Sequence, residues 1–159
     1  MNKITPIILA GICFIVPVLA QQSEQEYSTA QAGVRFAPLH IYLDSGNSSL
    51  AAYQFEVRAV REPPLQPAAG QIKIVGVEGG QHKAFKEAPY YDPAALANDR
   101  IIIATFSTGS DLPKGRTRIA TIHLQIVGDA EPEYDLKLAV AADADGKEIP
   151  AEIKFEKGE

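Results

Sequence analysis

Few residues in this chain have the types and spacing that chemistry requires. Asp143, Asp145 and Glu148, within Asp143-Ala-Asp-Gly-Lys-Glu148, space three carboxylates as a small calcium loop does, because a hard cation takes oxygen ligands from alternate positions. The further aspartate and the distal bidentate glutamate of an EF-hand are missing, and Asp-Gly between two alternating segments is also an ordinary hairpin turn. A structural turn is the simpler expectation, with Asp143, Asp145 and Glu148 as the candidate ligands if a metal binds. Glu78-Gly-Gly80 has neither the G-x-G-x-x-G spacing nor the lysine of a phosphate loop, and reads as a strand-ending turn that needs positive φ. His40, His82 and His123 are scattered, with no H-E-x-x-H or similar metal spacing. No serine sits in a G-x-S-x-G elbow. Carboxylate pairs for glycoside hydrolysis come from distant strands and leave no local spacing to read. The expectation is therefore a protein without catalytic residues or cofactor. Tyr90 and Tyr91 are the remaining candidates: adjacent tyrosines in an irregular segment can stack on a sugar ring or anchor a protein, or one of them can cap the core. The chain has no tryptophan, which removes the flat indole platform used against crystalline polysaccharide.

The elements that position these residues are legible in the hydrophobic period. Leu39, Ile41 and Leu43 alternate with His40 and Tyr42. Tyr53, Phe55, Val57 and Ala59 alternate with Gln54, Glu56 and Arg58, as expected of a strand with one face in the core. Ile72, Ile74 and Val77 resume a strand after Pro63, Pro64, Pro67 and Gly70, with Gly76 marking a bulge or a close approach. Ile101, Ile102, Ile103, Ala104 and Phe106 form an unbroken apolar run, expected to be a central strand buried on both faces. Ala120, Ile122, Leu124 and Ile126 alternate with Thr121, His123 and Gln125. Two further alternating runs follow, 134–142 and 149–155, joined by a hairpin over 143–148. Between 81 and 99 no β period survives. There Asp92-Pro93 before Ala94, Ala95, Leu96 and Ala97 predicts one short helical turn. Seven strands with turn signals between them predict a single all-β antiparallel sandwich.

Length and charge narrow the function classes. A chain of 159 residues suits one domain that folds without metal or disulfide. With 15 Lys and Arg against 20 Asp and Glu it is acidic and lacks the basic stripe that phosphate backbones demand, so nucleic acid is excluded as a partner. Residues 1–20 carry Lys3, an apolar run and a Val18-Leu19-Ala20 end, the pattern of a secretory signal peptide, while the run is too short for a membrane span. Cleavage there removes Cys13, the only cysteine, and predicts an exported protein with no membrane insertion afterwards. Residues 21–33 read as a flexible leader and 34–157 as the folded domain.

The order of these pieces resembles the cohesin domain, a member of the jelly-roll group of carbohydrate-binding β-sandwiches. The residues that carry the resemblance are Leu50-Ala-Ala-Tyr-Gln-Phe-Glu-Val57, Ile74-Val-Gly-Val-Glu-Gly-Gly80, Ile101-Ile-Ile-Ala-Thr-Phe106 and Ile119-Ala-Thr-Ile122. The resemblance implies a jelly-roll sandwich and a non-catalytic module, secreted to the periplasm or medium. Such a module docks a dockerin-like protein on a flat sheet face, or alternatively binds polysaccharide; a structural envelope component is a lesser alternative. It further implies that the 51–60 and 117–127 strands share a sheet. Gln54, Glu56, Arg58, Thr121, His123 and Gln125 would then form one flat binding face, with Tyr90 and Tyr91 as possible sugar contacts. The expected assembly state is a monomer.

Overall fold

The computed structural model describes residues 33–60, 72–128 and 131–158. The expected export segment 1–20, the leader up to residue 32 and the proline-rich stretch 61–71 lie outside them. Eight strands form: β1 (Val34–Asp44), β2 (Ala52–Val60), β3 (Ile72–Gly79), β4 (Tyr90–Tyr91), β5 (Arg100–Phe106), β6 (Arg116–Val127), β7 (Glu133–Ala142) and β8 (Glu152–Lys157). They build two four-stranded sheets, ordered β3-β6-β1-β8 (sheet I) and β4-β5-β2-β7 (sheet II), and every pairing is antiparallel. The pairings β1:β8, β2:β7, β3:β6 and β4:β5 nest inside one another, as in a long hairpin rolled into a jelly-roll sandwich. The pairings β1:β6 and β2:β5 then join the nested pairs within each sheet.

The core forms where the alternating apolar positions of the two sheets meet. Leu39, Ile41, Phe55, Ile74, Ile103 and Ile122 are all fully buried. Tyr53 reaches from sheet II to sheet I, and its hydroxyl donates to the Ile119 carbonyl oxygen at 2.8 Å. Burial pushes its phenol well above the ordinary tyrosine range. A bulge where Ile41 and Tyr42 face Ala120 and Arg118 brings Ile119 and Ala120 inward together. A second bulge falls between Ile74 and Gly76, at the glycine that the sequence marks.

Four expectations change. An eighth strand, β4, and a single 3-10 turn at Lys83–Phe85 occupy the segment without β period, and Phe85 from that turn enters the core. Two paired residues are too short to show a period. Gly79 and Gly80 do not adopt positive φ. They are glycines because an added Cβ would lie 2.2 Å from the Lys86 carbonyl oxygen or 2.3 Å from that of Arg118. The 143–148 segment is a tight turn closed by an Ala142:Glu148 bridge, but the strands it joins lie in different sheets. Finally, β5 is not buried on both faces: Ile101 and Ile103 point into the core, while Ile102 and Phe106 lie on the outer face of sheet II and are exposed. Only one layer packs against that sheet, so an unbroken apolar run still alternates in burial. The predicted helical turn is present at Pro93–Ala95, with Asp92 accepting from the Ala94 amide.

Candidate functional site

The outer face of sheet II gathers large apolar side chains into the open. Tyr90 (69 % exposed), Phe106 (63 %), Ile102 (41 %) and Val140 (37 %) come from three strands. Strand register explains why they meet. Tyr90 pairs with Ala104, and Gln54 lies opposite both Ala104 and Val140, so one row crosses the sheet from β4 to β7. The rings of Tyr90 and Phe106 lie nearly parallel, centroids 6.3 Å apart and planes 12° apart. Exposed apolar side chains clustered in this way mark interaction surfaces more often than scattered ones do.

Toward the other end of the strands the same face turns ionic. Ile102 pairs with Glu56 and Glu56 with Lys137, and the next row is Arg100, Arg58 and Asp135. Arg100 grips Glu56 with two hydrogen bonds, Nε to Oε1 at 2.6 Å and NH2 to Oε2 at 2.8 Å. That hydrogen bonding holds the Glu56 carboxyl below its ordinary range, with the charges of Arg100, Arg58 and Lys137 adding to the effect. Two hollows flank Ile102. One is an open depression of about 600 Å³ lined by Tyr90, Asp92, Asn98 and Arg100 among others. The second, about 130 Å³, lies against Gln54, Glu56 and Lys137. The larger hollow exists because the chain leaves the sheet edge after Tyr91. The Ala97 amide donates to Ile74 O and the Asn98 carbonyl accepts from Ile74 N, each at 2.8 Å, which ties the loop to β3 of the opposite sheet. Ala97 takes a left-handed conformation (φ 68°) to make that turn.

The expected six-residue binding face is divided. Gln54, Glu56 and Arg58 stand on the outer face of sheet II, whereas Thr121, His123 and Gln125 belong to β6 in sheet I, on the opposite side of the sandwich. Strands adjacent in the nested hairpin enter different layers, so β2 and β6 never share a sheet. Thr121 is also buried, with His40 Nδ1 3.1 Å from its hydroxyl. His123 is half-exposed, its Nε2 3.1 Å from Glu78 Oε1, close enough for an ion pair but not aligned as a hydrogen bond. Tyr90 and Tyr91 are divided too: successive residues of a strand face opposite ways, so Tyr90 is exposed while Tyr91 packs against the core. They cannot stack side by side on one sugar. Asp143 spends one carboxylate oxygen on the backbone amides of Asp145 and Lys147, at 3.0 and 2.9 Å, which is turn chemistry. His82 caps the Lys83–Phe85 turn by accepting from the Ala84 amide. Among the described residues no three His, Cys, Asp or Glu side chains cluster closely enough to hold a metal ion.

Sequence reasoning passed over Ile102, Phe106, Val140, Arg100 and Lys137. The available signal was parity: Ile102 and Phe106 share the parity of Arg100, a residue poorly suited to a core. Compared with known proteins, the chain matches no family model, no curated protein and no solved structure.

Proposed function

We propose that this chain is a secreted, non-catalytic, cohesin-like binding module that takes a protein partner on the outer face of sheet II. The observation that carries this reading is the cluster of Tyr90, Ile102, Phe106 and Val140, exposed together beside the Glu56–Arg100 pair. An apolar centre with a charged margin is the anatomy of a protein interface, in which aromatic anchors supply affinity and rim charges set orientation. The test is capture of partners from the native secretome by wild-type protein, by an Ile102→Asp/Phe106→Ser double variant, and by Gln125→Glu on the other sheet. The reading expects the double variant to lose the partners and Gln125→Glu to keep them. Equal capture by all three overturns it.

Polysaccharide binding is the second reading, favoured by the parallel Tyr90 and Phe106 rings, which offer two apolar faces at the sheet margin. Titration with soluble polysaccharides separates the two: binding that disappears in Tyr90→Ala and Phe106→Ala would move the assignment to sugar.

A further inference from the structure

The two long sides of the sandwich are closed differently. On the β3/β4 side, backbone hydrogen bonds join Ile74 to Ala97 and Asn98 across the layers, and Phe85 fills the gap beneath. On the β7/β8 side the Ile149 amide donates to Ala141 O at 2.9 Å beside the turn, and among the described residues no backbone bond joins strands β7 and β8 themselves. Tyr134, Leu136, Leu138, Ile153 and Phe155 face inward and pack against the core, yet all remain half-exposed. A depression of about 440 Å³ lies between the two strands, lined by Tyr134, Leu136, Ile153 and Phe155 among others.

Strand β8 is the edge of sheet I and pairs only with β1. The Gly158 amide donates to Pro38 O at 2.9 Å, which continues the register in which Glu156 faces His40 and Lys154 faces Tyr42. In an antiparallel ladder, residues that exchange hydrogen bonds alternate with residues that do not. Glu152, Lys154 and Glu156 therefore turn their backbone groups toward β1, and Ile153, Phe155 and Lys157 turn theirs toward the free edge. An edge of this kind is a template for another strand.

The side chains on β8 favour one strand over others. Its outward residues are Glu152, Lys154 and Glu156, of alternating charge. When β8 pairs antiparallel with a second β8 about a twofold axis at Phe155, Lys154 of each copy faces Glu156 of the other. The edge-facing amides of Ile153, Phe155 and Lys157 then find carbonyl partners. Moving the axis to Lys154 would set Lys154 against Lys154 and Glu152 against Glu156, which like-charge repulsion disfavours. An axis at Ile153 keeps opposite charges but pairs only residues 152–154 of the strand, so the longer Phe155 register is favoured. We propose that β8 is a self-recognition edge, through which two copies of this chain join their first sheets and cover the β7/β8 seams with Phe155 and Ile153. The outer face of sheet II stays free in both copies, so the dimer would present two of the surfaces described above. This inference goes beyond the binding function and does not depend on it.

Sedimentation over a concentration series tests it, together with circular dichroism melts of each variant to establish folding. Wild-type protein is expected to dimerise, and Lys154→Glu to weaken the dimer at least roughly tenfold by placing two carboxylate pairs in opposition. The Lys154→Glu/Glu156→Lys double variant, which restores opposite charges in the same register, should recover it. In a Cys13→Ser background, Phe155→Cys should form an intermolecular disulfide under mild oxidation, since the paired residue on a twofold axis meets its own copy within disulfide reach. Glu152→Cys should not. A monomer at every concentration overturns the proposal, as does a dimer that is indifferent to Lys154→Glu. Failure of the double variant to recover the dimer, or cross-linking at residue 152 in place of 155, overturns the register.

Discussion

The outer faces of the two sheets are made from strands of similar length and similar alternation, yet they treat their side chains in opposite ways. On sheet I polar groups pack against one another, although the buried Arg118 Nε and His123 Nε2 atoms have no hydrogen-bond partner. Thr121 is buried beneath His40, His123 lies against Glu78, and Arg116 pairs with Glu156 while its guanidinium covers the Tyr42 ring at 3.8 Å. On sheet II, Tyr90, Ile102, Phe106 and Val140 stand exposed in the central and β4 part of the face. Sheet I does expose Phe36 and Val34 at the start of β1 and Val75 at the β3 bulge, but these lie toward one end of the sheet and lack the row of neighbours from three strands found on sheet II. The difference shows that outward polarity in the sequence is a poor guide to a binding surface. A polar face can already be saturated by its own contacts, and the face with unspent apolar area is the one with free energy to gain from a partner.

The largest expected effect separates Ile122 from Phe106, both of which the sequence places in the core. Ile122→Ala, at a fully buried site in β6, should cost about 2–5 kcal/mol in denaturant unfolding. Phe106→Ala should cost less than about 1 kcal/mol, because its ring is already in solvent. A large cost at Phe106 would mean that its face is covered within the monomer.

Next comes the bond that joins the layers. Tyr53→Phe leaves the buried Ile119 carbonyl without its donor and should cost about 1–3 kcal/mol. The same variant should unfold less steeply in alkali. A phenol whose folded pKa is raised adds stability fully present below its unfolded value, near 10.0, and lost as pH rises through the folded value. Tyr134, pushed up to about 12 chiefly by burial, contributes in the same direction between those two values.

A smaller pair of effects tests the faces against each other. Thr121→Val on sheet I removes the contact with His40 and should lower stability by about 1 kcal/mol without touching partner capture. Ile102→Thr on sheet II, which keeps a β-branched side chain and adds no charge opposite Glu56, should change stability by no more than about 1 kcal/mol and weaken capture. The reverse pattern would move the interface to sheet I.

The smallest effect is acid sensitivity at the ionic end of sheet II. Glu56 has a lowered folded pKa, so the contribution of its pair with Arg100 is present above the unfolded value of about 4.5 and fades as pH falls through the folded value. Glu56→Gln should flatten that part of the stability profile measured by thermal melts from neutral to acid pH. The exposure of the pair keeps the change slight.

Much of the architecture was legible in the residues because a strand with one face in the core must alternate. Leu39, Ile41 and Leu43, then Phe55 and Val57, then Ile122, Leu124 and Ile126 could be placed in the core from period alone, and Asp92-Pro93 marked its turn. Strand β4 was not legible, since two residues have no period. Phe85 was not either, because it reaches the core from a 3-10 turn whose place depends on the Gly79 and Gly80 close approaches.

By itself the sequence determined the all-β class, the positions of the seven longer strands and, where polar and apolar residues alternate, the parity of the side chains, because these follow from backbone geometry and local burial energy. It could not determine which strands share a sheet. That depends on how the long hairpin rolls, a choice set by contacts between residues far apart in the chain, such as the Tyr53 hydroxyl on Ile119 and the Ile74 amide on Asn98. Sheet assignment is what separated Glu56 from Gln125 onto opposite faces and brought Tyr90, Ile102, Phe106 and Val140 onto one. Parity tells which way a side chain points relative to its own strand; only the packing of the second layer decides whether that direction leads to core or to solvent.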